Sequence, residues 1–387
     1  MKFNKSGIIV LTDGRMFLKR LAVVFLISVL CLSCVYAEEG GSEAPGGTKV
    51  GGHIRMSLFD YTSGIHRDAV SSDHAVQYTG MGFLTLILFV QASINKYLSI
   101  DVEPMLNAVT GATPVLTSDI GAQLMQPSAV SLRLDGVEWT KAVIKYTLAE
   151  GFELSAGIIK PIFTMEYGSQ MFWQEELSGG KFCINNFLGM AHSAGFEGAT
   201  TFTMDDFNMP IFLYLLNGET QFIDNNTRPS AMIHIEPAFD AITLSGSFMF
   251  GRYDNAQKLN MMRWSCGASY SIGALYVRGE YAGGRWEKAI AGVRNATPVG
   301  YYLKVFYSLT SWLKLMYHFD YAYHNFSGFT SFSAGPGEEY VTNTPGVIIN
   351  FFDTLIEFRM DIANWKTTNK SDELNFYRTV IGWRATF

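Results

Sequence analysis

The chain has 387 residues, 48% of them hydrophobic and 17% charged, with a formal net charge of −6. That is more apolar and less charged than a soluble domain, where charged residues approach about a quarter, and an acidic chain argues against nucleic acid as a partner. A polytopic helical membrane protein needs apolar runs of about 18 residues or more. After position 37 the longest run, Phe83 to Val90, is already interrupted by Thr85.

The first element in chain order is the exception. Lys19 and Arg20 precede the apolar run Leu21 to Leu30, and Val35-Tyr36-Ala37 supplies small residues at the cleavage-determining positions. Residues 1–37 therefore read as a secretory signal peptide cut after Ala37, with an uncleaved anchor as the alternative. Met16 makes a neater start than Met1, because residues 1–15 are longer and less basic than a signal needs. Cys34 is a weak lipoprotein site, since Cys31-Leu32-Ser33 departs from a small-residue lipobox. Removing this stretch takes away five bases and one acid, which leaves 24 Lys+Arg against 34 Asp+Glu and a net of −10. Only Cys183 and Cys266 then remain, too few for a disulfide framework. Cys266, between Trp264 and Ala268, reads as a packed structural thiol. No Cys/His cluster has zinc spacing, and no cofactor is implied. Residues 38–49 form a short flexible leader.

From 50 to 387 one pattern repeats: apolar side chains alternate with small, polar or charged ones, the period of a β-strand. Leu313, Leu315, Tyr317, Phe319, Tyr321 and Tyr323 share one face, and Lys314, Met316, His318, Asp320, Ala322 and His324 the other. Sixteen such segments fall near 50–60, 82–94, 96–104, 129–148, 152–163, 193–203, 207–216, 229–238, 240–253, 260–272, 274–283, 298–309, 312–324, 345–351, 353–365 and 375–387. Tight turns at Asn95-Lys96, Glu150-Gly151, Asp205-Asp206, Phe239-Asp240, Gly273, Thr310-Ser311 and Phe352-Asp353 alternate with longer connections. Those connections are 61–81, 105–128, 164–192, 217–228, 254–259, 284–297, 325–344 and 366–374. The apolar face carries almost no charge, and aromatics (Tyr301, Trp312, Tyr321, Tyr323, Trp365, Phe376, Tyr377) gather at segment ends.

An alternating face of that kind, meeting lipid, implies an all-β fold: a transmembrane antiparallel β-barrel of about sixteen strands (fourteen to eighteen), with short periplasmic turns and long extracellular loops. Closure follows from the solvent. An unpaired backbone amide in hydrocarbon costs several kcal/mol, so a spanning sheet has no open edge.

The last segment alternates back from Phe387 through Ala385, Trp383, Ile381, Thr379 and Tyr377. A terminal aromatic on such a strand resembles the assembly signal of bacterial outer-membrane proteins. With sixteen strands and long loops, residues 50–387 resemble the Gram-negative porins. The resemblance implies an outer-membrane location, lipid and the insertion machinery as partners, and a water-filled channel for ions and small hydrophilic solutes. A homotrimer is one assembly it allows. It also implies that deleting Phe387, or making it charged, impairs assembly, as the folded fraction recovered from outer membranes would report; undiminished recovery would mean that the terminal strand is no signal. The stretch Ile159-Lys160-Pro161-Ile162-Phe163-Thr164-Met165-Glu166-Tyr167-Gly168 resembles a strand-to-loop passage of phosphate-selective-type porins. Phosphate specificity is not carried over, because the mature chain is acidic.

In the resembling families the third long loop folds into the barrel as a constriction. Here that loop is 164–192, with Glu166, Glu175, Glu176 and Lys181 and the aromatics Phe172, Trp173, Phe182 and Phe187. A solvated surface loop is the alternative. Facing it, on the inward phase, are Lys141, Lys145, Arg278, Lys304 and Arg359, together with Asp101, Glu103, Arg263, Glu280, Lys314, Asp320, Glu357, Arg378 and Arg384. Charges in a narrow channel select ions by sign, which gives an expectation of weak cation preference; for single residues, pairing that stiffens the wall is the alternative. His318, Asp320 and His324 come without a serine nucleophile motif, so no enzyme is expected. A fatty-acid-type channel is suggested by 17 Met and 29 Phe, but that class normally carries an N-terminal plug longer than the leader here. A surface adhesin or receptor built from the loops is a third reading.

Overall fold

Alternation gives each segment one apolar and one polar face, and the chain reconciles the two by closing a sheet around a polar interior. The computed structural model describes residues 47–67, 74–80, 83–110, 132–149, 151–165, 193–217, 229–254, 259–290, 294–326, 337–351, 353–369 and 373–386. Among these, nineteen strands form a single antiparallel sheet. Three of them continue a stave that a short irregularity interrupts, because both pieces pair with the same neighbour.

Sixteen staves result. They are β1 (Thr48–Arg67), β2 (His74–Gly80 with Phe83–Ser93), β3 (Leu98–Thr110), β4 (Leu132–Ala149), β5 (Phe152–Ile159), β6 (Ser193–Met204), β7 (Phe207–Leu216) and β8 (Ser230–Ile235 with Ala238–Phe239). The second half comprises β9 (Ile242–Asp254), β10 (Leu259–Ile272), β11 (Leu275–Ile290), β12 (Arg294–Ala296 with Val299–Ser308), β13 (Leu313–His324), β14 (Glu338–Phe351), β15 (Thr354–Thr367) and β16 (Glu373–Thr386). β16 pairs with β1 from His53↔Thr386 to Arg67↔Glu373, which closes the barrel. Among the described residues no helix is long and apolar enough to cross a membrane.

The tight turns follow from their residues. Asp205, Asp240 and Gly273 take positive φ (47°, 47° and 56°) in two-residue connections, the left-handed geometry that matches strand twist and suits Asp, Asn and Gly. The Asn95 side chain accepts from the Tyr97 and Leu98 amides at 2.8 and 2.9 Å, and the Thr310 hydroxyl from the Leu313 amide at 3.0 Å; such caps mimic a backbone turn.

Burial is inverted relative to a soluble sandwich. Lys304 (0% exposed), Glu357 (1%) and Asp361 (1%) point inward, while Leu303 (42%), Phe358 (42%) and Ile362 (37%) on the same staves point out. Only a barrel standing in lipid makes that distribution favourable. Tyr301 and Tyr321 stack on the outer face with ring centroids 4.8 Å apart.

The structure corrects several expectations. Stretches read as long connections are partly strand: 61–66 and 74–79 pair with each other, and 105–110, 284–290 and 338–344 extend their staves. The reason is visible at Pro345, which reads as a strand start because it lacks an N–H. Registers run on through it, from Asn343↔Ile362 to Gly346↔Arg359, and the Thr344 hydroxyl donates to Asp361 Oδ1 at 2.9 Å across the gap. Segment 152–163 ends as a stave at Ile159. Trp365 and Phe376 are buried inside and do not belong to an outer aromatic belt; the Trp365 indole donates to Glu338 Oε2 at 3.0 Å. Cys266 is exposed on the outer face, where its neighbour is solvent or lipid, and is not packed in the protein. The connections 111–131, 166–192, 218–228 and 327–336 lie outside the described residues, as do the signal and most of the leader.

Candidate functional site: the lumen and the segment that crosses it

The inward side chains form rows, because residues paired across a ladder stand at one height. On one row Arg278 (β11), Lys304 (β12) and His318 (β13) are consecutive register partners. The next row holds Glu280, Tyr302 and Asp320 on the same staves. The row beyond is small: Ser265, Ala282, Gly300 and Ala322. A band of bases therefore lies beside a band of acids, and above both the wall recedes.

That recess is filled by the chain itself. After Ile159 the polypeptide leaves the wall at Lys160-Pro161, where proline cannot donate to a ladder. Phe163 is fully buried, and its carbonyl accepts from the Ser265 hydroxyl at 2.7 Å. The Met165 amide donates to Glu280 Oε1 at 3.1 Å, while Tyr302 donates to Glu280 Oε2 at 3.0 Å. The Ile162 amide donates to the Tyr214 hydroxyl at 3.3 Å. Met165 packs where a side chain on Gly267 would stand. β5 is several staves from β10 and β11 around the wall, so these contacts are made through the interior. The beginning of the third long connection thus crosses the lumen.

On the other side of this crossing lies a cavity of about 710 Å³. Its charged lining includes Asp101, Glu103, Glu153, Glu197, Lys141, Lys145 and Lys160. Asp101 Oδ2 accepts from Lys141 Nζ at 2.6 Å and from Lys145 Nζ at 3.1 Å, and Ser155 donates to Glu197 at 3.4 Å. Lys160, beyond the end of β5, has its pKa drawn below the ordinary lysine value, first by burial, with Lys141 adding to the effect and Glu103 opposing it.

The expected site residues therefore divide. Lys141 and Lys145 come together on one carboxylate. Arg278 and Lys304 are register neighbours on the opposite wall. Arg359 stands apart on β15, 2.9 Å from Glu357 and 3.7 Å from Asp361. Glu166, Glu175, Glu176, Lys181 and Phe387 lie outside the described residues. Tyr377, Ile381 and Trp383 follow the outward phase of β16, with Tyr377 56% exposed. Phe163, Met165, Tyr214 and Ser265, which hold the crossing, were not singled out for that role by sequence reasoning. The signal for them was the small-residue phase Ser265, Ala282, Gly300, Ala322, readable only once stave registers are known.

No family model matches the chain, and no curated protein matches it by sequence. Solved structures do. An anion-selective porin from Comamonas acidovorans superposes with a TM-score of 0.56 at 12% identity, covering 88% of this chain and 100% of its own. OmpT, an outer membrane protein of Vibrio cholerae, gives 0.54 at 11% identity, covering 90% and 100%. Salmonella typhi OmpF in complex with daunomycin gives 0.53 at 11% identity, covering 89% and 98%. At such identities the likeness is one of fold. The chain has the closed sixteen-stranded fold of the Gram-negative outer-membrane porins.

Proposed function

We propose that the barrel is a porin, a water-filled passage through the outer membrane for ions and small hydrophilic solutes. The observation that carries this reading is the cavity of about 710 Å³ lined by charged side chains inside an apolar-faced barrel. Carboxylates and ammoniums facing a lumen are hydrated only if water enters it. The proposal includes lipid and the insertion machinery as partners, a secretory signal over residues 1–37, no catalysis, and weak cation preference. Glu166, Glu175, Glu176 and Lys181 remain proposed constriction residues, since Thr164 and Met165 immediately before them lie buried in the lumen. Vibrio cholerae OmpT is also known in a trimer form, and a homotrimer is part of the proposal.

One observation favours a second reading. Leu216, Met232, Met249, Met261 and Trp286 form a buried apolar group on the inner wall, as a channel for hydrophobic substrates would require. Planar bilayers separate the two. Ohmic, stepwise conductance is expected from the purified protein; stable insertion with no conductance at any voltage would sink the porin reading and favour the hydrophobic-substrate barrel.

A further inference from the structure

The two sides of the lumen differ in what water can reach. Lys304 (0% exposed), Arg278 (2%) and Glu280 (4%) on the far wall are sealed, with Phe163 and Met165 lying against that side. The side chains of Lys141 and Lys145 are 24% and 21% exposed, that of Asp101 is 11% exposed, and all three line the open cavity.

We propose that the passage runs off-centre along β1 to β7, and that Asp101 sets its ion selectivity by holding Lys141 and Lys145. The inference rests on the porin reading and deepens it. Both ammoniums converge on one oxygen, Asp101 Oδ2, so the three groups together present one positive charge where two lysines alone would present two. By formal charge, histidine counted as neutral, the cavity lining sets four carboxylates against three ammoniums, a balance of −1 in keeping with a mild preference for cations. Loss of any one of the four carboxylates brings this balance to zero, but loss of Asp101 also takes away the oxygen on which two adjacent ammoniums converge. Lys304 and Arg278 are buried and are not among the residues that line the cavity, so they touch the passage little.

A unit charge a few Å from a permeating ion alters its local population about fivefold in water, and salt screening removes part of that. The test uses reversal potentials in a potassium chloride gradient, with the whole mature protein recovered as a heat-modifiable barrel. Asp101→Asn is expected to raise the chloride-to-potassium permeability ratio about threefold or more. Lys141→Met combined with Lys145→Met moves it the opposite way, and Lys304→Met leaves it nearly unchanged. Conductance with an unshifted ratio in Asp101→Asn, or a larger shift from Lys304→Met, overturns this inference while leaving the porin reading intact. Absence of conductance in the unmodified protein overturns both.

Discussion

Replacing Glu280 with leucine is expected to release the Ile159–Met165 crossing and to enlarge the single-channel conductance, with added gating noise. Glu280 is 4% exposed, and its two oxygens accept separately from the Met165 amide and the Tyr302 hydroxyl. Leucine removes both acceptors while keeping bulk, so two buried donors lose their partners at about 1–3 kcal/mol each. A loss of even ~2 kcal/mol changes the ratio of docked to released segment about thirtyfold. Of the hydrogen bonds described above, those of Ser265 to Phe163 and of Ile162 to Tyr214 would still hold the segment. Glu280→Gln keeps one acceptor and should fall between. Ser265→Val removes the second anchor and should act in the same direction, more weakly. Unchanged conductance and noise in Glu280→Leu, with the barrel still heat-modifiable, would show that the far wall does not hold the crossing.

The largest effect on assembly is expected at a pair of glycines. Gly157 on β5 and Gly195 on β6 are direct register partners. A Cβ on Gly157 would stand 2.1 Å from the Ala142 carbonyl oxygen, and one on Gly195 would stand 2.2 Å from that of Leu215. Neither contact can be relieved by turning a side chain, because the obstacle is the backbone of the adjoining stave. Gly157 also has φ +136°, which an L side chain rarely adopts. Gly157→Ala and Gly195→Ala should each cost more than about 3 kcal/mol and leave little protein in the folded, heat-modifiable form. Gly198→Ala is the internal comparison: on the same β6 stave its Cβ would lie 3.7 Å from a Leu154 methyl, an ordinary contact. Gel mobility before and after heating measures all three. Normal yields of folded Gly157→Ala would contradict the close approach of β4 and β5.

What the amino-acid sequence determined by itself was everything that depends on local chemistry. The period of two sorted Lys304, His318, Asp320 and Glu357 to one face and Leu303, Tyr317 and Phe358 to the other, and the folded chain keeps that division. Asp205, Asp240 and Gly273 marked turns because left-handed backbone is cheap for those residue types. All sixteen staves were legible in order, since each carries its own alternation. Stave ends were less so. Pro345 and the polar runs at 61–66 and 338–344 look like loop locally, but pairing partners on both sides keep them in the sheet. The tertiary structure alone decided which inward charges meet. Asp101 is forty residues from Lys141, and their contact depends on the stagger between β3 and β4, including a register shift at Glu103/Pro104. The same holds for the crossing: Phe163 meets Ser265, 102 residues on, because a row of small side chains leaves room on the far wall once the barrel is closed. Alternation specifies a face; it carries no information about which residues stand opposite across a lumen.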